Sequence, residues 1–266
     1  MEQISSRQNV LVKRLRTLTE DRGAGDEILL DGAHLIEEAL ASGVEVRVVL
    51  VADDAASGPL GALAARAAAA GARAVTLTSS LASAVSPVRS PTGILAIAAI
   101  REHPLDAVLQ PTPQLLVLLD HVQDPGNVGA IVRAAEGCGA TGVIAGPGTA
   151  DPFGWKALRG SMGSAFRMPI TRVDSLEDVI VRANRAGVRV FAAVPRGGTP
   201  LPAAKLAGPA LVVLGGEGAG LSRAILDAAD EGITIPMHGH VESLNVSIAA
   251  ALVLYEASRQ RQHVPI

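Results

Sequence analysis

Asn127 and Arg133 follow the apolar run LLVLLD, which ends at Asp120. In α/β folds, functional groups lie past the carboxyl ends of strands, and an asparagine after a DPG turn suits the N-cap of a helix. At about 100° per residue, Arg133 points nearly opposite the buried face of that helix, among glycines and alanines. The pattern favours close approach of a backbone, subunit or substrate, with a plain surface arginine as the alternative.

A glycine-rich turn with one carboxylate, Glu217, follows a second apolar run at residues 210–214. Its glycines let a ligand approach the backbone N–H and C=O groups. They are Gly215, Gly216, Gly218 and Gly220. This spacing is not the GxGxxG of dinucleotide-binding folds, which disfavours a nucleotide-dependent oxidoreductase. A nucleotide-phosphate site and a tight turn both remain compatible with the segment.

A third polar segment, MHGHVESLN, follows the apolar run ITIP and contains Ser243 and Asn245. It leads into a helix over residues 244–255 that is apolar on nearly every side. Such a helix has to be buried all round, and a subunit interface is one way to bury it.

The elements that position these residues alternate between short apolar strands and helical patterns. In the first half, strand-like runs lie at 27–30, 44–51, 74–78 and 93–100, and helical patterns lie at 9–18, 34–41 and 60–70. The alternation predicts an α/β protein with a mostly parallel sheet covered on both faces. The proline-containing stretch 101–114 has no clear period. We therefore expect a first domain at 1–105, a linker at 106–114 and a second domain at 115–266.

Hydrophobic residues form 48% of the 266-residue chain and aromatic residues only 2%, so aliphatic side chains must build the core. So few aromatics disfavour a protein that binds single-stranded bases mainly by stacking. The net charge is −3, yet Arg7, Lys13, Arg14 and Arg16 cluster with no acid between them. Such local basic patches bind phosphates even in an acidic protein, although an ordinary solvated face would look the same.

The single cysteine, Cys138, falls on the buried face of the helix after Asn127, so we expect it in the core. One cysteine allows no disulfide within the chain, the N-terminus lacks a signal-peptide run, and no stretch is long enough for a membrane span. We therefore expect a cytoplasmic protein without a membrane partner. His238 and His240 lie close together but lack an evident third ligand, so no metal is expected.

Taken together and in this order, the three segments resemble the three motifs of the SpoU/TrmH family of RNA 2′-O-ribose methyltransferases, in the SPOUT superfamily. The matching stretches are DPGNVGAIVRAA, LGGEGAGLS and IPMHGHVESLNVSIAAALVLYE, and WKALRGSMGSAFRMPI resembles a further Lys-x-x-Arg-x-Ser-x-Gly stretch of the family. The resemblance implies a C-terminal SPOUT α/β-knot domain with a trefoil knot, an exception to the rule that chains avoid knots. It also implies S-adenosylmethionine as the cofactor and a homodimer with active sites at the subunit interface.

The family's functional residues carry over to motif positions of this sequence. The resemblance implies catalytic roles for Asn127, Arg133, Glu217, Ser243 and Asn245. It implies cofactor contacts, mainly through the backbone, from Leu214, Gly215, Gly216, Ile235, Met237 and Leu244. Arg133 would anchor an RNA phosphate and stabilise the developing alkoxide. The asparagines and the serine would orient the ribose and the cofactor loop, and the glutamate would order the loops or bind the substrate.

The first hundred residues are similar to the small ribosomal-protein-like substrate-binding domain that precedes the catalytic domain in many family members. SRQNVLVKRLRTL and ILLDGAHLIEEAL carry this resemblance. It implies a small α/β RNA-binding domain and favours ribosomal RNA, 23S rRNA above all, over transfer RNA as the substrate. A non-catalytic RNA-binding or ribosome-assembly factor is a further alternative, which the intact motif residues disfavour.

Overall fold

The computed structural model describes residues 2–20, 25–100, 102–110, 114–218, 220–238 and 241–262. The chain forms two compact units. The first consists of Met1–Arg101 and Phe153–Arg167, and the second of Glu102–Pro152 and Met168–Ile266. The predicted domains, 1–105 and 115–266, do not include the placement of residues 153–167 in the first unit. Part of the predicted linker, 111–113, lies outside the described residues.

Five described strands of the first unit form one mixed sheet, in the order β1-β4-β3-β5-β2. The strands are β1 (Glu2–Ile4), β2 (Glu27–Asp31), β3 (Glu45–Ala52), β4 (Arg73–Leu77) and β5 (Ile94–Ala99). β1, β4 and β3 are parallel, whereas β5 is antiparallel to β3 and β2. The four strands predicted in this half are confirmed, and β1 was missed because three residues show no period.

The second unit contains one sheet of seven described strands, in the order β10-β12-β9-β11-β6-β7-β8. They are β6 (Leu115–Asp120), β7 (Gly142–Ala145), β8 (Ile170–Arg172), β9 (Arg189–Ala193), β10 (Thr199–Pro200), β11 (Ala210–Gly215) and β12 (Glu231–Thr234). Every pair in this sheet is parallel, which confirms the predicted parallel architecture. All six residues of β6 are buried, as expected for a strand whose two faces are both covered.

Helices connect these strands in both units. They are α1 (Val10–Thr19), α2 (Ala33–Ala41), α3 (Pro59–Ala69), α4 (Ser79–Val85), α5 (Leu105–Leu109), α6 (Pro125–Gly137), α7 (Trp155–Ser161), α8 (Leu176–Arg185), α9 (Arg223–Ala228) and α10 (Val246–Gln262). Short 3₁₀ turns occupy Asp53–Ala55, Ser164–Phe166 and Leu201–Ala203. None of the helices in the described ranges combines the length and the apolar character that crossing a bilayer requires.

The helix α7 belongs to the first unit through specific polar contacts. Trp155 Nε1 donates to the carbonyl oxygen of Thr19 over 3.1 Å. Arg159 Nη1 lies 3.7 Å from Asp31 Oδ1, and the Asp31 side chain is only 1% exposed. Oδ2 of Asp31 accepts a hydrogen bond of 2.8 Å from the Ser86 hydroxyl, whereas Oδ1 has no hydrogen-bond partner among the described residues. Burial raises the pKa of this carboxyl.

The long helix α10 buries one face within its own chain. Its buried residues are Val246, Ala250, Val253, Leu254 and Ala257. Ile248, Leu252 and Tyr255 remain 53%, 42% and 64% exposed, and their spacing places them on one side of the helix. Within the single chain only one face of α10 is covered, so the prediction that the helix is buried all round, with the help of a subunit interface, stays a prediction.

Candidate functional site

The carboxyl ends of the neighbouring strands β6 and β11 form the base of the site. Asp120 and Gly215 are paired at the last position of the two strands, and Gly216 N donates to the carbonyl oxygen of Asp120 over 2.7 Å. A Cβ on Gly216 would lie 1.8 Å from the carbonyl oxygen of His121. Only glycine fits here, because the loops after β6 and β11 pass in direct contact.

Asp124, rather than Asn127, is the N-cap of α6, so the predicted cap was wrong. Asp124 Oδ1 accepts a hydrogen bond of 2.8 Å from the Asn127 backbone N–H, and Pro125 occupies the first helical position. Both aspartate and asparagine are good caps, and proline suits the position that follows one. Because Asp124 caps the helix, the side chain of Asn127 is available for another contact.

Side chains from all three motif segments meet at one carboxylate. Asn127 Nδ2 donates to Glu217 Oε1 over 2.8 Å. Asn245 Nδ2 lies 3.3 Å from the same oxygen and 3.1 Å from Asn127 Oδ1. Two amides therefore hold Oε1 of Glu217 in place.

Asn245 also starts the final helix. Its Oδ1 accepts hydrogen bonds of 2.9 Å from Ser247 N and 2.6 Å from Ser247 Oγ. A side-chain oxygen that caps the first turn fixes the rotamer of the whole amide. The Nδ2 group therefore faces Glu217 and Asn127 as a consequence of how α10 begins.

A cavity of about 410 Å³ adjoins this cluster within the second unit. All six residues predicted to bind the cofactor line it, namely Leu214, Gly215, Gly216, Ile235, Met237 and Leu244, and so do Glu217 and Ser243. A Cβ on Gly215 would lie 2.7 Å from the carbonyl carbon of Gly220, so the loop closes tightly over its own backbone. The volume falls within the range of small-molecule and cofactor sites.

Arg133 is not part of this arrangement. Its side chain is exposed on α6, and it lines neither this cavity nor a second cavity that lies beside Asp120. Six residues of α-helix place it about 9 Å along the axis from Asn127. The predicted exposure of Arg133 opposite the buried face is confirmed, but within one chain it stands apart from the Glu217 cluster.

The sequence patterns did not point to several residues that line the cavity. Ala193, Val194 and Pro195 follow β9 and form part of the first cavity. The signal was present, because they stand at the carboxyl end of a buried parallel strand, as Asp120 does. Because none of them carries a charged or hydrogen-bonding side chain, the sequence offered no reason to choose them as site residues.

The remaining expectations concern the single cysteine and a possible metal site. Cys138 is half-buried at the C-terminal cap of α6, not in the core as predicted, because the helix ends there. The partial burial raises the pKa of its thiol, which favours the protonated form. Among the described residues, no group of three or more His, Cys, Asp or Glu side chains could hold a metal ion. His240 lies outside those residues.

The fold and the site define a class of protein: an α/β protein with a cavity lined by glycine-rich loops at the carboxyl edge of a parallel sheet. The model of the SpoU rRNA methylase family matches residues 114–255 of this chain. The model of the MRM3-like substrate-binding domain matches residues 9–96. The chain therefore belongs to the SpoU rRNA methylase family.

Individual relatives agree over nearly the whole length. The Bacillus subtilis 23S rRNA (guanosine(2553)-2′-O)-methyltransferase RlmP is 33% identical over 96% of this chain and 98% of its own. The AdoMet-bound rRNA methyltransferase from Sinorhizobium meliloti superposes with a TM-score of 0.85 at 30% identity, covering 100% and 99% of the two chains. The SpoU methyltransferase AviRb from Streptomyces viridochromogenes, in complex with AdoMet, gives 0.84 at 29% identity over 96% and 99%.

Family membership confirms the enzyme class that the motifs indicated, an S-adenosylmethionine-dependent RNA methyltransferase with an N-terminal substrate-binding domain. It rules out the nucleotide-dependent oxidoreductase. The roles of the individual site residues, the trefoil knot and the homodimer stay predictions.

Proposed function

We propose that this protein methylates the ribose 2′-hydroxyl of a guanosine in 23S rRNA. The observation that carries the proposal is the meeting of Asn127, Glu217 and Asn245, one from each motif, beside the cavity lined by the predicted cofactor residues. The Bacillus subtilis relative, similar over almost its full length, is named for a guanosine of 23S rRNA. That name supports both the RNA class and the base.

The first cavity suits S-adenosylmethionine. Its apolar wall, from Leu214, Ile235 and Leu244, fits an adenine ring, and its glycine backbone offers N–H and C=O groups to the polar parts. When bound, S-adenosylmethionine supplies a methyl group on a positively charged sulfur. The chain's own task is to align the attacking ribose oxygen with that methyl, since alignment supplies much of the rate.

Glu217 is the residue that we assign to the ribose. Both amides of the cluster bind its Oε1, so Oε2 accepts a hydrogen bond from a ribose hydroxyl. Because Asn127 and Asn245 hold the carboxylate on two sides, the ribose is oriented without a reorganisation cost at the time of reaction. Ser243, exposed at the cavity wall, contributes a hydroxyl that orients the cofactor loop.

A homodimer completes the proposed site. The exposed stripe of Ile248, Leu252 and Tyr255 on α10 is an apolar surface that a second copy of the chain would cover. Since Arg133 is exposed and separated from the Glu217 cluster of its own chain, we assign it to the site of the second copy. There its guanidinium would bind an RNA phosphate and stabilise negative charge on the reacting oxygen.

The first unit is assigned to RNA recognition. Arg7, Lys13 and Arg16 of the basic cluster are exposed, whereas Arg14 forms an ion pair with Glu27. The match to a substrate-binding domain model covers this segment from residue 9 onward. We expect these cations to bind phosphates of a structured RNA in the cytoplasm, because phosphate contacts supply most of the sequence-independent affinity.

One experiment distinguishes methylation of 23S rRNA from the two alternatives, a transfer RNA substrate and a non-catalytic RNA-binding role. Purified protein is incubated with S-adenosylmethionine carrying a labelled methyl group and with unmethylated 23S rRNA or bulk tRNA, and 2′-O-methyl positions are mapped in RNA from cells with and without the gene. We expect label in 23S rRNA at one gene-dependent guanosine. Label in tRNA alone would show the transfer RNA alternative to be right. Binding without methyl transfer to any RNA would support a non-catalytic ribosome-assembly factor.

A further inference from the structure

A second cavity of about 440 Å³ lies on the other side of the glycine-rich loop. It shares Gly216, Glu217 and Gly220 with the first cavity. Its remaining wall includes Asp120, His121, Pro147, Asp174, Leu176 and Glu177. The two cavities are therefore separated by one loop, and Glu217 belongs to both.

The backbone presents His121 to this cavity in an unusual conformation. His121 has a φ of +54°, in the left-handed region that few non-glycine residues adopt. A Cβ on Gly148 would lie 2.4 Å from Cδ2 of the imidazole, so the glycine leaves room for the ring. Such backbone strain persists where the surroundings over-determine a residue, and it concentrates at functional sites.

A buried carboxylate orients the imidazole. His121 Nδ1 lies 2.5 Å from Asp120 Oδ1, and the Asp120 side chain is 5% exposed whereas that of His121 is 61% exposed. Because a carboxylate can only accept, Nδ1 carries the proton in this bond. In the neutral imidazole, Nε2 is then an acceptor, held in one orientation at the cavity wall.

The chemistry of the wall selects its ligand. The carboxylates of Asp174 and Glu177 accept hydrogen bonds, and so does His121 Nε2 in the neutral imidazole, whereas Gln123 and Ser222 of the same wall can also donate. A phosphate is repelled by such a wall, and the described residues offer no cluster that would hold a metal ion. The apolar Pro147 and Leu176 suit a flat ring. Acceptors therefore predominate on this wall, which suits a heterocycle that carries N–H donors along one edge.

We propose that the second cavity holds the base of the nucleotide to be methylated, and that His121 and Glu177 read its donor edge. This inference rests on the proposed function, because a ribose at Glu217 places its own base next to the shared loop. Guanine suits the wall best, since its N1–H and 2-amino groups are adjacent donors for carboxylate and imidazole acceptors. His121 is thus a specificity residue that sequence motifs do not reveal.

The test uses a 23S rRNA fragment that carries the mapped target as guanosine or as inosine, which lacks the 2-amino group. We expect the wild-type protein to prefer guanosine over inosine by about tenfold or more in kcat/KM, the range for one well-formed base contact. His121→Asn, whose new residue tolerates a positive φ, and Glu177→Gln should each lower kcat/KM for guanosine about tenfold and bring the ratio of guanosine to inosine towards one.

The matched control is His103→Asn, the same change at an exposed histidine of the same unit that does not line the cavity. It should behave as the wild type does, and all variants should keep the wild-type Kd for S-adenosylmethionine. Wild-type discrimination between guanosine and inosine that survives both cavity variants, or no discrimination at all, would overturn the assignment. Absence of methyl transfer by the wild-type protein would instead refute the proposed function itself.

Discussion

Asn127 and Glu217 are joined by a 2.8 Å hydrogen bond although 90 residues separate them in the chain. The bond exists because the parallel strands β6 and β11 are neighbours and end at the same edge of the sheet. Asn127 supplies the donor from the first turn of α6, and Glu217 receives it on the loop that both cavities share. The pair therefore couples the helix start to the loop that carries the proposed ribose contact.

Removing the amide of this pair should affect the reaction more than the fold. Asn127→Ala deletes the donor to Glu217 and the acceptor for Asn245, but the backbone bond of residue 127 to Asp124 remains. A hydrogen bond to a charged group is worth roughly 1.5–3 kcal/mol, so we expect methyl transfer to fall by about ten- to a hundredfold. Initial rates with saturating cofactor measure the loss, and thermal unfolding should shift by only a few degrees.

Asn184→Ala is the matched control, since Asn184 is an exposed asparagine on α8 of the same unit. It should keep full activity. If both variants lose activity alike, or if Asn127→Ala keeps the normal rate, the amide does not position Glu217 for the reaction.

The outer stripe of α10 should decide the oligomeric state. Leu252→Glu places a charge in the centre of the apolar stripe that we assign to the dimer interface, where an unpaired charge is strongly disfavoured. Light scattering should give about twice 27.1 kDa for the wild type and 27.1 kDa for the variant. Methyl transfer should be lost with the dimer.

Val181→Glu provides the comparison, because Val181 is a similarly exposed apolar residue at 45%, on α8 instead of α10. That variant should remain dimeric and active. A wild-type protein that is monomeric and active at micromolar concentration would remove the dimer from the proposal.

Sequence patterns predicted the parts of the structure that depend on local physics. Buried apolar runs predicted β6 and β11, and Asn127 was expected past the carboxyl end of the first of these strands. The pairing of Glu217 with Asn127 was not predictable from periodicity, because it needs β6 and β11 to be neighbours although four strands of the sheet lie between them in the chain. Only the resemblance to a family brought the two residues together.

The structural features that the sequence did not predict also have physical causes. At the start of α6, Asp124 and Asn127 are both good caps, and the sequence alone does not say which of them the helix uses. The strained conformation of His121 is imposed by the crossing loops around Gly148 and Gly216, which are distant in sequence. Residues 153–167 join the first unit through long-range contacts such as that of Trp155 with Thr19, which no local pattern encodes.

The buried Asp31 should make the protein less stable at neutral pH than its asparagine variant. Burial raises the pKa of this carboxyl, so folding favours the protonated form, and the charged form costs stability at any pH above the raised pKa. Asp31→Asn removes that cost and should raise the Tm at pH 7. The advantage should shrink as the pH falls through the raised pKa towards 3.8, the ordinary value.

Asp53 provides a comparison, because the charge on its carboxylate is expected to stabilise the folded state. Its carboxylate accepts hydrogen bonds from the hydroxyl and backbone N–H of Ser79, which lower its pKa. The folded state therefore favours the charged form, and that stability is present above pH 3.8 and lost as the pH falls through the lowered pKa. Asp53→Asn should lower the Tm at pH 7. Calorimetric scans from pH 4 to pH 8 that show the same sign for both variants would contradict this account.

Arg133 allows the sharpest test of a shared site. It is exposed, so Arg133→Ala should change stability by less than about 1 kcal/mol and leave cofactor binding intact. Methyl transfer should fall by roughly a hundredfold or more, as happens when a preorganised charge at the reacting oxygen is removed. Arg133→Lys should restore little, because an ammonium cannot reproduce the forked contact to phosphate.

Mixed dimers then show which chain Arg133 serves. Glu217→Gln should also be inactive, so a dimer of one Arg133→Ala chain and one Glu217→Gln chain contains two defective copies. If Arg133 acts in the site of its partner, the intact arginine of one chain faces the intact glutamate of the other, and one site per dimer works. Co-expression with two affinity tags isolates this mixed dimer, which should show about half the wild-type rate per dimer. If Arg133 acts within its own chain, the mixed dimer stays as inactive as either parent, and the assignment to the second copy is wrong.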